Sequence, residues 1–465
     1  MRTSFDGDRC RPVTSTPSSA TGAAANGRTG PAAASWPADP FAHVDGRLCV
    51  DGLPLDEVVA ATGTPTYVYS LDAVAAAYRR LAAAFAPVGG RVLYAVKANS
   101  NLAVLGTLAQ LGAGFDVVSG GELVRVLRAG GNPAATVFAS VGKTEDELAL
   151  AVGHGITVHV ESADELEALR AVAGRLGRPA RFAVRVNPDV EVDTHAYIQT
   201  GHDEAKFGVP VELAHELLAR AARGELPGLH PVGVHVHVGS QLPDPDGMAA
   251  GARVGLEVLE AGRAAGLALD WLDVGGGLPV DYAGGAAMAP ERFAAALAPL
   301  VAGRGLRLGI EPGRALVARA GALVTSVLYR KHRSAGRMLV VDTGMHQLLR
   351  PALYQAVHRV LPLRAAPSAG PTEVVGPICE STDVLAAAAD LPDLAPGALL
   401  AIMDAGAYGM TMASNYNSQP RPAEVVVEGG AARVARRRES WEELLAWENG
   451  AGTATASAPV SRLGW

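Results

Sequence analysis

From about residue 90 to Gly313 the chain alternates short β-branched runs with Ala-, Leu- and Glu-rich stretches carrying apolar residues at helical spacing. The strand-like runs, in order, are "RVLYAVK", "GFDVVS", "TVFAS", "ITVHVES", "RFAVRVNP", "GVHVHVGS", "WLDVGGG" and "LRLGIEPGR". Between them lie helical segments such as "NLAVLGTLAQLGA", "GELVRVLRAG", "DELEALRAVAGRLG" and "ERFAAALAPLVAGRG". Strand–helix alternation of this kind calls for a parallel sheet covered by helices. Eight such units in about 225 residues match a (β/α)8 barrel, with an open doubly wound sheet as the alternative. After Gly313 the runs "ALVTSVLYRK", "RMLVVDTG", "TEVVGPIC", "ALLAIMDAG" and "AEVVVEGG" follow one another with turns and little helix, the pattern of a mostly antiparallel β domain. The expected fold class is therefore α/β, a TIM-type barrel plus a mostly antiparallel β domain. The boundaries read as a disordered tail over 1–45, strands over 46–70 joining the β domain, the barrel over 71–318, the β domain over 319–448 and a flexible tail over 449–465.

Composition narrows the partners. A chain of 465 residues, 49% hydrophobic and 19% charged, is globular and large enough for more than one core. A formal net charge of −7 gives no basis for nucleic-acid binding. The one dense basic run, Arg436-Arg437-Arg438, is followed by Glu439, Glu442 and Glu443 and reads as a solvated face. No stretch reaches the roughly 18 apolar residues of a membrane span, so no membrane partner is expected. Cys10, Cys49 and Cys379 are too few and too scattered for a disulfide framework, and the first 40 residues lack a signal-peptide core. Both observations point to the cytoplasm.

In a barrel of this type reactive groups gather at the carboxyl ends of the strands. Those ends read Lys97, Asp116 with Ser119, Arg185, His237 with Ser240, Gly275-Gly276-Gly277, then Glu311 and Arg314. Taken alone, Lys97 in "YAVKANSN" is also a snorkelling lysine, the glycine triplet a tight turn, His237 a core histidine and Cys379 a small buried hydrophobe. Their alignment on one barrel mouth argues otherwise. A lysine able to condense with an aldehyde, a glycine cradle for an anion and a carboxylate for a pyridine nitrogen together point to pyridoxal 5′-phosphate. No metal ligand set is expected.

The motifs "YAVKANSN", "GAGFDVVSGGEL", "VFASVGKTEDEL", "RVNPDVEVDTHAYIQTGHDEAKFG", "HVHVGSQ", "DVGGGLP", "EPGR", "RPALY", "GPICESTD" and "DAGAYGMTMASNYNSQPRPAEVVV" run in order from roughly residue 47 to 445. Together they resemble the diaminopimelate decarboxylases, members of the fold-type III pyridoxal-phosphate decarboxylases. The resemblance implies that Lys97 carries the cofactor and that His237 stacks on its ring. It implies that Glu311 pairs with the ring nitrogen. Ser240, Gly275, Gly276, Gly277 and the "EPGR" backbone (Glu311, Pro312, Gly313, Arg314) would hold the phosphate, which Tyr408 would also touch. For the substrate it implies Arg314, Arg350, Tyr354, Glu380 and Tyr408, and for reprotonation of Cα it implies Cys379. It further implies a homodimer in which Cys379 and Glu380 enter the partner's site. Two guanidiniums suit a distal carboxylate and Glu380 a distal ammonium, which fits meso-2,6-diaminopimelate better than ornithine. The implied activity is decarboxylation at its D-carbon to L-lysine and carbon dioxide, the last step of lysine biosynthesis.

Three stretches depart from the family pattern. Thr343, His346 and Gln347 stand in "DTGMHQL" where "DAGMNDL" is usual. Gln419 occupies a common arginine position, and Ala139-Ser140 stands where one residue is usually glycine. Because the first lies near Arg350, a sister decarboxylase acting on another diamino acid or a carrier-bound amino acid stays as the alternative. A catalytically dead regulatory homologue would be expected to lose Lys97 or Cys379, and both are present.

Overall fold

The computed structural model describes residues 36–190 and 206–448, apart from Ala286, Ala335 and Trp447; residues 1–35 of the tail read over 1–45, and the tail read over 449–465, lie outside the described residues. The barrel strands are Gly90–Ala95, Gly114–Val117, Thr136–Ala139, Thr157–Val160, Ala180–Val186, Leu229–Val236, Trp271–Asp273 and Arg307–Ile310. They pair in parallel in that order, and the eighth closes on the first at Leu308–Gly90 and Ile310–Val92. The helices between them start and stop where local chemistry dictates. Ser119 and Ser162 cap the helices Gly120–Arg128 and Ala163–Leu176, and Thr144 with Glu147 forms a capping box on Glu145–His154. Gly155 and Gly177 close two of these helices in left-handed backbone, where a side chain would be strained.

The barrel lumen is divided along its axis. Leu93, Val137, Ala183 and Trp271 plug it nearer the strand starts, as an apolar layer. Toward the strand ends it is polar, with Asp116, His159, His235 and Asp273 all buried. That second half positions the site.

The C-terminal domain is mostly antiparallel. Its longest strand, Gly321–Arg333, pairs antiparallel with Gly336–Val341, with Leu399–Ile402 and with Thr66–Ser70. Two pairings are parallel, Gly336–Val341 with Pro371–Val375 and Thr66–Ser70 with Ala423–Glu428. Of the 46–70 segment, then, Thr66–Ser70 is inserted into the large sheet. Arg47–Val50 and Leu53–Pro54 instead form a small separate sheet with Phe41–Val44, which lies inside the stretch read as tail. The alternation in "FAHVDGRLCV" is short, and what holds it is tertiary. Leu48 N–H donates to Leu363 O at 2.9 Å, and Phe41, Leu48 and Val50 pack on Val324, Leu363 and Met403 of the β domain. Among the described residues no helix is long and apolar enough to cross a membrane.

Strands six and seven approach so closely at Gly233 that a Cβ there would sit 1.8 Å from Trp271 O. Gly233→Ala is expected to destabilise the chain by about 1–3 kcal/mol or to prevent folding, as overpacking of a close backbone contact does. A urea denaturation midpoint equal to wild type would contradict this packing.

Candidate active site

Lys97 sits in the single 3-10 turn Val96–Ala98 that ends the first barrel strand. It faces a cavity with 39% of its side-chain surface accessible, and its Nζ lies 2.7 Å from Oδ2 of the fully buried Asp116 at the end of the second strand. Burial by itself would lower the lysine pKa, but the carboxylates of Asp116 and Glu311 outweigh it and raise it. Burial, aided by the charge of Glu311, pushes Asp116 up to about 6 against the pull of Lys97 and Arg185. Arg185 is itself buried and paired with Glu161 at 2.9 Å.

Lys97, His237, Ser240, Gly276, Gly277, Glu311, Gly313, Arg314 and Tyr408 line this one cavity. The glycine triplet is a steric requirement. A Cβ on Gly275 would meet His237 Nδ1 at 2.5 Å, and one on Gly276 would meet Glu311 O at 2.4 Å. Gly277 has φ +109° and would meet Gly239 O at 2.7 Å. Two of the three N–H groups have protein partners, Gly275 N–H on Asp273 Oδ1 and Gly276 N–H on His237 Nδ1, both at 3.1 Å. His237 Nδ1 is therefore an acceptor, and burial with Arg185 and Lys97 nearby holds this imidazole neutral, far below its usual pKa. Pro312 O accepts from Ala95 N–H at 3.3 Å, which ties "EPGR" to the Lys97 strand.

The β domain supplies the rim. Tyr408 N–H donates to Ala98 O, next to Lys97, at 2.8 Å, with Tyr408 itself in left-handed backbone at φ +55°. Asn99 Nδ2 donates to Gly406 O at 3.0 Å from the other side. Arg314 lies over the Tyr408 ring at 4.8 Å and donates to Tyr282 Oη at 2.8 Å and to Ser240 Oγ at 3.3 Å. Arg350, on the short helix Arg350–Tyr354, lies over the other partner of this arrangement, the Tyr282 ring, at 4.4 Å. Tyr354 ends the same short helix and does not line the cavity. Arg350 Nη1 meets His358 Nε2 at 2.8 Å, and His358 Nδ1 meets Met403 O at 2.8 Å. A carbonyl only accepts, so the Nδ1 carries the proton and Nε2 accepts from the arginine.

Cys379 and Glu380 are not brought to this cavity. Both are exposed, with Cys379 N–H on Asn417 Oδ1 at 3.2 Å and Glu380 bonded to the Tyr416 hydroxyl. The departures from the family pattern also lie off the cavity lining. Thr343 Oγ1 donates to Gln347 Oε1 at 2.8 Å and Gln347 Nε2 to Pro420 O at 3.1 Å, beside Gln419. His346 is buried, and neither ring nitrogen has a hydrogen-bond partner among the described residues. Sequence reasoning missed Tyr282, His358, His159 and His235. Only the last carried a signal, the alternation in "HVHVGS" that puts His235 and His237 on one face of the strand.

The comparisons with known proteins match this geometry. Residues 71–318 match the family model described as pyridoxal-dependent decarboxylase, pyridoxal binding domain. A diaminopimelate decarboxylase of Pseudomonas aeruginosa is 47% identical over 417 residues, covering 88% of this chain and 99% of that protein. The chain belongs to the diaminopimelate decarboxylase family. A crystal structure of the family from Helicobacter pylori, complexed with L-lysine, superposes with TM-score 0.81 at 39% identity, over 85% of this chain and 99% of that one. One from M. jannaschii, also with L-lysine, gives TM-score 0.82 at 33% identity, over 88% and 98%. Members of this family are pyridoxal-dependent decarboxylases, and this chain is one of them.

The residues present fit that cofactor. Glu311 Oε1 is buried at the cavity without a hydrogen-bond partner among the described residues. The backbone at Gly276 leaves room that a Cβ would fill, and a lysine amine stands at the same opening.

Burial and the Arg350 charge depress His358 to about 3. An unfolded histidine near pH 6.5 takes up a proton on acidification while this one does not. His358 therefore makes stability fall as pH drops below about 6.5, by at most about 1.4 kcal/mol per pH unit. The raised Asp116 acts in the opposite sense, but it is common to wild type and variant. His358→Gln, which keeps an acceptor for Arg350, is expected to show a smaller loss of urea midpoint between pH 7 and pH 5. Equal losses would contradict a neutral buried His358.

Proposed function

We propose that this chain decarboxylates meso-2,6-diaminopimelate at its D-configured carbon, giving L-lysine and carbon dioxide as the last step of lysine biosynthesis. The carrying observation is a pair of guanidiniums on one tyrosine, Tyr282: Arg314, which lines the Lys97 cavity, donates to its hydroxyl, and Arg350, behind that lining, lies over its ring. A planar fork suits a carboxylate bidentately, and only a substrate with a second carboxylate uses both. The relatives solved with L-lysine support the same reading of the product.

Bound pyridoxal 5′-phosphate supplies the electron sink for the pair left on Cα when carbon dioxide departs. Lys97 would hold its aldehyde carbon, and its amine, freed when a substrate amine binds there, would carry protons within the cavity. Glu311 would face the ring nitrogen, His237 the ring, and Ser240, the glycine triplet, the Pro312–Arg314 backbone and Tyr408 the phosphate. Arg314, Arg350, Tyr354 and Tyr408 would bind the distal head, Glu380 its ammonium. Cys379 would give its thiol proton to Cα.

Neither Cys379 nor Glu380 lines the cavity of its own chain. We therefore assign them to the site of a second copy, in a homodimer with two composite sites. Exposed apolar groups on the same domain, Leu353, Val357 and Tyr416, suit a covered face. The two cysteines described, Cys49 and Cys379, are both free, which supports a reducing, cytoplasmic location.

Mass-spectrometric product analysis with meso-diaminopimelate, D- and L-lysine, ornithine and arginine tests the substrate. L-lysine and carbon dioxide from diaminopimelate alone are expected, and turnover of another diamino acid instead would overturn the assignment. Arg350→Ala is expected to cut kcat/KM for diaminopimelate by about 10- to 100-fold, the loss of one charged hydrogen bond, mainly through KM. Mixing Lys97→Ala with Cys379→Ala protein should restore about a quarter of the wild-type sites if the dimer shares them. No restoration after subunit exchange would refute the composite site.

A further inference from the structure

Directly behind Glu311 the lumen holds a pair of histidines with no assigned role. His159 on the fourth strand and His235 on the sixth stack with ring centroids 4.3 Å apart and planes at 23°. His235 Nε2 lies 3.4 Å from Glu311 Oε2, and His159 Nδ1 lies 3.9 Å from Oε1. All three side chains are buried, and no ring nitrogen of the pair has a hydrogen-bond partner among the described residues. Buried polar groups of this kind call for an explanation, because each costs its full desolvation if it does nothing.

A metal ion is the first explanation to weigh, since the three ligand atoms lie within 4.8 Å of one another. The ring planes argue against it. Lone pairs lie in the plane of an imidazole, so two nearly parallel stacked rings do not aim at one centre. A metal would also take the carboxylate away from the cavity that Glu311 lines.

We propose that His235, braced by the stacked His159, is a positioning residue that fixes the Glu311 carboxylate toward the cofactor's ring nitrogen. This rests on the reading of Glu311 given above. The electrostatics favour a neutral donor. Burial and the charges of Lys97, Lys143 and Arg185 hold both imidazoles far below their usual pKa. A neutral N–H orients the carboxylate without cancelling its charge, which stays available to a protonated ring nitrogen. An arginine or lysine at the same place would compete for it. His159 keeps the His235 ring from turning, since a stacked partner restricts rotation about χ2.

The test compares His235→Leu, His235→Gln and His159→Phe with wild type, in holoenzyme and after cofactor removal. Pyridoxal phosphate affinity is read by fluorescence quenching, and the charge at the ring nitrogen by the visible absorbance band. His235→Leu is expected to weaken pyridoxal phosphate by about tenfold or more and to shift the band. It should lower kcat while KM for diaminopimelate changes by less than about twofold, because Glu311 does not touch the substrate. His235→Gln, which retains an N–H donor, should recover most of each, and His159→Phe, which retains the stack, should lie near wild type. A folded His235→Leu with wild-type affinity, band and kcat would overturn the proposal, as would stoichiometric bound zinc lost from His159→Phe. If the leucine variant does not fold, His235→Asn is compared with His235→Gln. The longer amide should succeed where the shorter fails, and equal behaviour would count against positioning. Failure of wild type to bind pyridoxal phosphate at all would refute the Glu311 reading itself, a separate outcome.

Discussion

An ammonium placed at the mouth of a barrel must be balanced or it does not stay charged, and Lys97 is balanced by Asp116 at 2.7 Å with Glu311 behind it. Burial and then the Glu311 charge raise the pKa of Asp116, burial and then Glu161 raise that of Glu311, and Lys97 and Arg185 offset part of both. The polar half of the lumen is thus one charge assembly rather than a row of separate residues. The raised pKa values of its carboxylates depend on the barrel being closed, because closure buries Asp116, Asp273 and Glu311 together.

The β domain completes what the barrel begins. Tyr408 reaches the mouth because its own N–H is anchored to Ala98 O, and because a left-handed residue turns the "DAGAY" loop inward. Arg350 is aimed by a neutral His358 that is itself fixed on Met403 O, at the end of the strand Leu399–Ile402. Groups from both domains therefore meet at one mouth, joined by the Tyr408 N–H on Ala98 O and by Asn99 Nδ2 on Gly406 O.

The eight barrel strands were legible because each is a short β-branched run between helices, and Lys97, Glu311, His237 and the glycine triplet were legible because they fall where such strands end. The antiparallel character of residues beyond Gly313 was legible from turn spacing. Phe41–Val44 was not, because its alternation is too short and its stability comes from Leu363, Val324 and Met403, hundreds of residues away. Tyr282 and His358 were equally silent. A tyrosine in a loop after "GGGLPV" and a histidine after a five-residue helix carry no local pattern, and their roles exist only through Arg314 and Arg350.

The alternation of period and the residue types at strand ends are local properties, so the chain alone determined the barrel, its order and the chemistry gathered at its mouth. Which charges neutralise one another is a property of distance. Only the tertiary structure decided that Lys97 meets Asp116, that His235 backs Glu311 on a stack with His159, and that Tyr282 contacts both Arg314 and Arg350. It is also distance that leaves Cys379 and Glu380 outside the cavity of their own chain, since the loop that bears them is exposed, bonded to Asn417 and Tyr416 instead.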